Sequence, residues 1–99
     1  MTQQRATVKA DLEAEVCRLR HVLTSQAVVD QAIGVIIAFG ALCPEQGRSV
    51  LEQVSRRTGT EPRVIAEHVL RWAQDKDVPG DIDRALRTAI LQARAGGCA

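Results

Sequence analysis

Residues 11–40 read DLEAEVCRLRHVLTSQAVVDQAIGVIIAFG, and the fold follows from the two apolar stripes they carry. Leu12, Val16, Leu19 and Leu23 recur at steps of four and three, the heptad rhythm of a coiled-coil seam. The next seam positions, Gln26 and Asp30, are polar. There a second stripe takes over: Val22, Val29, Ile33, Ile36 and Ile37. One helix thus has a first half suited to a partner helix and a second half suited to its own chain. A lone helix bearing only the first stripe is unstable in water. The pattern predicts dimerisation through residues 10–26, the alternative being that this segment folds back on the bundle. Residues 1–9 read as a disordered N-terminus.

Gly34 in mid-helix costs about 1 kcal/mol relative to Ala, which points to a close helix crossing. Ala32 reads as a second small packing residue. Gly40 reads as a left-handed cap. Cys43-Pro44-Glu45 opens a second helix, with Pro where its missing N–H costs nothing; its stripe is Gly47, Val50, Leu51 and Val54. Thr60 reads as the cap of a third helix with Pro62 in its first turn. Ile65, Val69, Trp72 and Ala73 form that helix's stripe, flanked by Ala66 and Leu70, and it stops by Asp77. Val78-Pro79-Gly80 is a breaker. Asp81 reads as the cap of a fourth helix over 81–94, with Ile82, Ala85, Leu86, Ala89, Ile90 and Ala93 on one face. Residues 95–99 read as a flexible tail. No window alternates with period two, so the expected class is all-α.

Ninety-nine residues suffice for one small domain with a marginal core. Phe39 and Trp72 are its only aromatics, and the net charge of +1 neither demands nor excludes a nucleic acid. The three cysteines, at 17, 43 and 98, form no CxxC pair and predict free thiols in a reducing cytoplasm. With His21 and His68 they complete no tight four-ligand metal site. No metal or other cofactor is expected. The N-terminus has no signal-peptide pattern, and the apolar run 32–42, interrupted by two glycines, is too short to span a bilayer. No nucleophile elbow, HExxH, P-loop or dinucleotide motif occurs. The expectation is therefore a cytoplasmic, non-enzymatic binding module, with no membrane and no small-molecule substrate.

Charge placement says more than the total. Arg56 and Arg57 end the second helix, Arg63 opens the third, and Arg71 follows eight residues later on what reads as the same face. Thr58-Gly59-Thr60 brings these arginines toward one corner, where the third helix also presents its unpaired N–H groups. A phosphate backbone would find both. The plain alternative is that the arginines complement a helix dipole and pair with Glu52, Glu61 and Glu67.

Residues 25–36, Ser-Gln-Ala-Val-Val-Asp-Gln-Ala-Ile-Gly-Val-Ile, resemble the first-helix signature of ANTAR domains. Pro44-Glu45-Gln46-Gly47 through Leu51, and then residues 54–66, resemble that family's second and third helices in order and spacing, so that the likeness covers about 22–72. It implies a three-helix bundle over 22–77, preceded by a dimerising coiled coil, with the fourth helix added beyond the family core. It also implies a homodimeric, bacterial regulator of transcription antitermination that binds paired RNA stem-loops with hexanucleotide loops. Loop recognition fits the physics, since unpaired bases can be read whereas the deep A-form groove cannot. The RNA-contact residues would be Arg56, Arg57, Thr58, Arg63 and Arg71; the dimer residues, Leu12, Val16, Leu19 and Leu23. The chain departs from the family pattern at Gln26 (usually Arg), Gly47 and Arg48, Gly59 (usually Asn), Glu61 (often basic) and Pro62 (usually Leu). These leave a thinner basic patch. No receiver or sensing domain lies within the 99 residues, so a stand-alone module and a fragment both remain open. Two rivals stand beside this reading. One is a protein-interaction module of the same fold with weakened RNA binding, engaging a partner through the first or fourth helix. The other is a DNA-binding helix-turn-helix over residues 50–72, for which Glu61, Pro62 and Val64 are poor base readers.

Overall fold

The computed structural model describes the backbone of residues 2–97, with side chains from Val8 onward. Four helices follow one another: α1 (Thr2–Gly40), α2 (Pro44–Thr58), α3 (Pro62–Ala73) and α4 (Gly80–Gly96). No strand occurs among the described residues, and the class is all-α as expected. The expected flexible tail lies outside the described residues at 98–99, while 95 and 96 continue α4.

The first helix is one unbroken run of 39 residues. It reaches back to Thr2, where the sequence reading has a disordered terminus over 1–9, because nothing after Thr2 breaks it. Its N-terminal half stands clear of the bundle, which gives the molecule a longest extent of 64 Å. Leu12, Val16, Leu19 and Leu23 are 45–69% exposed, and no other helix covers them. Val22, read as the start of the second stripe, is 57% exposed. At its level the contact with α3 is polar, Arg63 against His21. The packed stripe starts instead at Val28 and Val29.

Every helix contributes to one core. Ala32 and Ile36 come from α1, Val50, Leu51 and Val54 from α2, Ile65, Ala66 and Val69 from α3, and Ile82, Leu86, Ala89 and Ile90 from α4, with Leu42 closing the α1–α2 turn. Burial of each large side chain among them contributes about 1.5–3 kcal/mol. The fourth helix is thus a full layer of the bundle, lying mainly on α2. The side chain of Gln46 reinforces that contact. Its Nε2 donates to the carbonyls of Ala93 and Gly97, each at 2.8 Å, and its Oε1 accepts from the Cys43 N–H at 3.0 Å. One amide therefore closes the start of α2 and caps the end of α4.

Glycine roles differ from expectation in an instructive way. A Cβ on Gly34 would meet nothing within 4 Å, so Gly34 is not at a helix crossing; it faces outward. The close crossing is at Gly47, where a Cβ would lie 2.5 Å from Ile37 Cγ1 and 3.3 Å from Ile33 Cγ2. Gly40 is the last residue of α1 rather than its left-handed cap. It is small because a Cβ there would reach 2.8 Å from Leu42 and 3.0 Å from Ile90. The left-handed residue is Ala41, at φ 52°, from which the chain turns so that the Leu42 N–H bonds to Ile37 O at 3.1 Å.

Helix starts also shift. α4 begins at Gly80 after Pro79, and Asp81 lies in its first turn with Asp83 without capping it. Asp81 still favours the positive end of the dipole. α3 ends at Ala73, with Asp75 left-handed at φ 57°, a conformation that Asp tolerates better than most residues.

Cys17 is a free, exposed thiol, but Cys43 is disulfide-bonded, a departure from the expectation of three free thiols. That expectation rested on the absence of a close pair in sequence, which does not bear on cysteines brought together by folding. Cys98 lies outside the described residues. The helical stretch Val8–Gly40 is also long enough to cross a bilayer and contains an 18-residue window with a mean hydropathy of 1.7, although the apolar run 32–42 is short. Part of that apolar surface, at Ala32 and Ile36, lies in the bundle core.

Candidate functional site

The corner between α2 and α3 is knitted by Ser55. Its carbonyl accepts from the Gly59 N–H and from the Thr60 N–H, the latter at 3.1 Å. Its hydroxyl donates to Thr60 O at 2.5 Å. Gly59, at φ 63°, ends α2 in the left-handed region. Gly and Asn are the two residue types that adopt it most readily, so Gly59 preserves the turn that an Asn would make. Thr60 does not cap α3: its hydroxyl turns back to Thr58 O at 3.4 Å. The N-cap is Glu61, and it makes no side-chain cap bond. The Ile65 N–H is taken by the Glu61 carbonyl. The first-turn N–H groups of Arg63 and Val64 thus have no side-chain acceptor from the cap, and Pro62 has no N–H to satisfy.

Around this corner Arg56 and Arg57 are exposed in the last turn of α2. Thr58 is half-buried, and its hydroxyl donates to Val54 O at 2.8 Å, so it offers a ligand only the oxygen's remaining acceptor capacity. Arg63 is the most constrained of the arginines. Its Nε lies 3.5 Å from Glu67 Oε1, and its Nη1 lies 3.2 Å from His21 Nε2. His21 is a neighbour that sequence spacing could not supply, since 42 residues separate the two. The ion pair is exposed and contributes at most about 0.3–0.5 kcal/mol, so a phosphate could displace Glu67 at little cost.

Arg71 does not belong to this corner. Eight residues of helix carry it about 12 Å along the axis and about 80° around it from Arg63. It lies instead in the last turn of α3, next in sequence to Trp72, which lines a cleft that no sequence pattern announced. There Phe39 of α1 stacks on Trp72 of α3, with centroids 4.8 Å apart and planes tilted by 46°. Arg87 of α4 holds its guanidinium 5.8 Å from the Trp72 ring centre. The residues come from three helices, and only the assembled bundle brings them together.

Four seam residues complete the inventory. Leu12, Val16, Leu19 and Leu23 lie along one exposed side of α1, as their spacing predicts, with Glu13, Glu15, Arg18 and Arg20 beside them. No cluster of metal-ligating side chains occurs among the described residues.

Comparison with known proteins adds one finding. A family model described as "ANTAR domain" matches residues 18–70, from the seam through α2 and most of α3. No curated protein and no solved structure matches the chain. The matched segment contains the whole α2–α3 corner and stops short of α4. ANTAR is a regulatory family of RNA-binding antitermination domains, not an enzyme family. On this match, which spans more than half of its length, the chain belongs to the ANTAR domain family.

Proposed function

We propose that this protein is a homodimeric RNA-binding regulator of transcription antitermination that recognises paired stem-loops through their hexanucleotide loops. The observation that carries the reading is the family match across residues 18–70, which encloses the arginine corner. Arg56 and Arg57 meet phosphate from one side of the turn. Arg63 and the uncapped N-terminus of α3 meet it from the other. The Ser55 bonds hold the two sides at a fixed spacing, so the corner needs little ordering when it binds. Arg71 contacts RNA outside this corner.

The dimer forms through residues 10–26. With Leu12 and Leu19 at d positions and Val16 and Leu23 at a positions, Leu at both d positions and Val at one a position suit a two-stranded seam. In that register Glu15 occupies a g position and Arg20 the following e position. A parallel, in-register pair therefore sets each Glu15 opposite the second copy's Arg20. Two tethered corners engage two adjacent stem-loops with a raised effective concentration for the second contact.

The test is a salt series with a tandem hexaloop RNA, a loop-scrambled RNA and a matched DNA duplex. Binding is expected for the first alone. Arg57→Ala and Arg63→Ala should each weaken it and lower the salt slope by about 1. Equal binding of the native and scrambled RNA at low salt removes the proposal.

A further inference from the structure

The cleft at the far end of the bundle has the chemistry of a nucleobase site. It encloses about 390 Å³ and is lined by Phe39, Trp72, Asp75, Arg87, Ile90 and Leu91, a volume in the range of small-ligand pockets. Two of its apolar side chains are open to solvent: Phe39 is 57% and Leu91 64% exposed. Along α1, Phe39 is about 27 Å from His21 at the arginine corner, so a ligand here does not compete with phosphates there.

Three features select a flat, polar-edged ligand. The tilted Phe39–Trp72 pair offers aromatic surface on which a base stacks. The Arg87 guanidinium is held by Nε, 3.2 Å from both Asp83 oxygens; its outer N–H groups remain beside the Trp72 ring. Asp75 supplies a carboxylate that makes no ion pair among the described residues, and a left-handed backbone fixes its position. A base with acceptors for Arg87 and two adjacent donors for Asp75 is guanine: O6 and N7 meet guanidinium N–H groups, and N1–H and N2–H meet the carboxylate. The charged side chains lining this end of the bundle are Lys76 and Arg87 against Asp75, Asp77 and Asp83, two cations against three carboxylates. Binding energy at this place therefore comes from stacking and edge recognition rather than from phosphate.

We propose that this cleft, built by α4 on the end of α1 and α3, receives an unpaired guanine of the bound RNA. The proposal rests on the RNA-binding reading above. Trp72 is the single tryptophan of the chain, so its emission reports on the cleft alone. The 99-residue protein is titrated with the tandem stem-loop RNA while anisotropy of a label on the RNA and Trp72 fluorescence are followed together. Saturable quenching that tracks binding is expected. Replacing each unpaired guanosine in turn by an abasic residue should abolish the quenching at one position. Asp75→Asn, which keeps a residue type at ease in the left-handed region, should weaken binding of the guanine-containing RNA about tenfold. It should leave binding of the matching abasic RNA unchanged. Leu91→Gln, at an exposed position, should reduce the quenching without lowering thermal stability. RNA binding with Trp72 emission unmoved, or with the Asp75→Asn loss equal for both RNAs, overturns this proposal and leaves the antiterminator reading intact. No RNA binding at all overturns both.

Discussion

Two glycines thirteen positions apart should respond to the same substitution with opposite signs. Gly34 lies on the exposed side of α1, and a methyl group there would meet no atom within 4 Å. Ala is favoured over Gly in a helix interior by about 0.8–1 kcal/mol, so Gly34→Ala should gain close to that full amount. For a domain of this size it raises the melting temperature by about 4–8 °C. At Gly47 the same methyl would stand 2.5 Å from Ile37 Cγ1 and 3.1 Å from its Cδ1, against the 3.5–4.0 Å of an ordinary carbon contact. Ile37 is β-branched and stiff at χ1, and Ile33 blocks one way out. The helices must separate by about 1 Å, at an overpacking cost of about 1–3 kcal/mol. Subtracting a helix-propensity gain of up to about 1 kcal/mol leaves a net loss of up to about 2 kcal/mol. Urea and thermal unfolding followed by circular dichroism at 222 nm measure both. Protein concentration is held constant, because association would add to apparent stability. A Gly47→Ala variant more stable than the parent, or a destabilised Gly34→Ala, would refute this assignment of which glycine marks the crossing.

Other perturbations follow from single contacts. Ala41→Gly relieves a left-handed non-glycine residue at φ 52° that costs roughly 1–2 kcal/mol. After allowing for the larger entropy of the unfolded chain, the variant should unfold later by about 0.5–1 kcal/mol; equal or lower stability would count against strain at this turn. Gln46→Ala strips the Cys43 N–H and the Ala93 and Gly97 carbonyls of their shared partner. A loss of about 1–2 kcal/mol is expected, with faster amide exchange at the C-terminal end of α4 as the diagnostic readout. Leu19→Asp places a charge in the middle of the seam, and Leu19 is 53% exposed in the single chain. Sedimentation should show monomers with undiminished helix content in the bundle, and a persisting dimer would exclude the seam as the interface.

What could be read from the sequence was whatever depends on a helix's own period. The stripes of α2, α3 and α4 named Val50, Leu51, Val54, Ile65, Val69, Leu86 and Ile90 before any partner was known. The heptad of α1 likewise gave a stripe that stays exposed in the single chain. Starts and stops were less legible where two residues compete for one role. Thr60 has the chemistry of a cap, but the Ser55 knot holds its hydroxyl on the wrong side of the turn. Asp81 lost its expected place because the helix already begins after Pro79. Contacts that depend on packing between distant segments were not legible at all. Gln46 reaching Gly97 spans 51 residues, and the Gly47–Ile37 approach, the Arg63–His21 contact and the Phe39–Trp72–Arg87 cleft each need the assembled bundle. The corner arginines were visible as a sequence cluster, yet one of them, Arg71, belongs to the other end of its helix.

The unbroken course of α1 makes the angle between two surfaces a matter of counting. At 100° per residue the seam centred on Leu12, Val16, Leu19 and Leu23 lies about 150° around the axis from the side that buries Ala32 and Ile36. No hinge intervenes between them. In a seam-paired dimer, each bundle would therefore be held at a set azimuth about the common axis, and inserting a single residue near position 25 would swing it by about 100°. Seven inserted residues would restore the phase while moving the bundle about 10 Å outward. The helix thus acts as a torsional gauge: RNA affinity should vary periodically with insert length, so the relative orientation of the two bundles becomes measurable without resolving the complex.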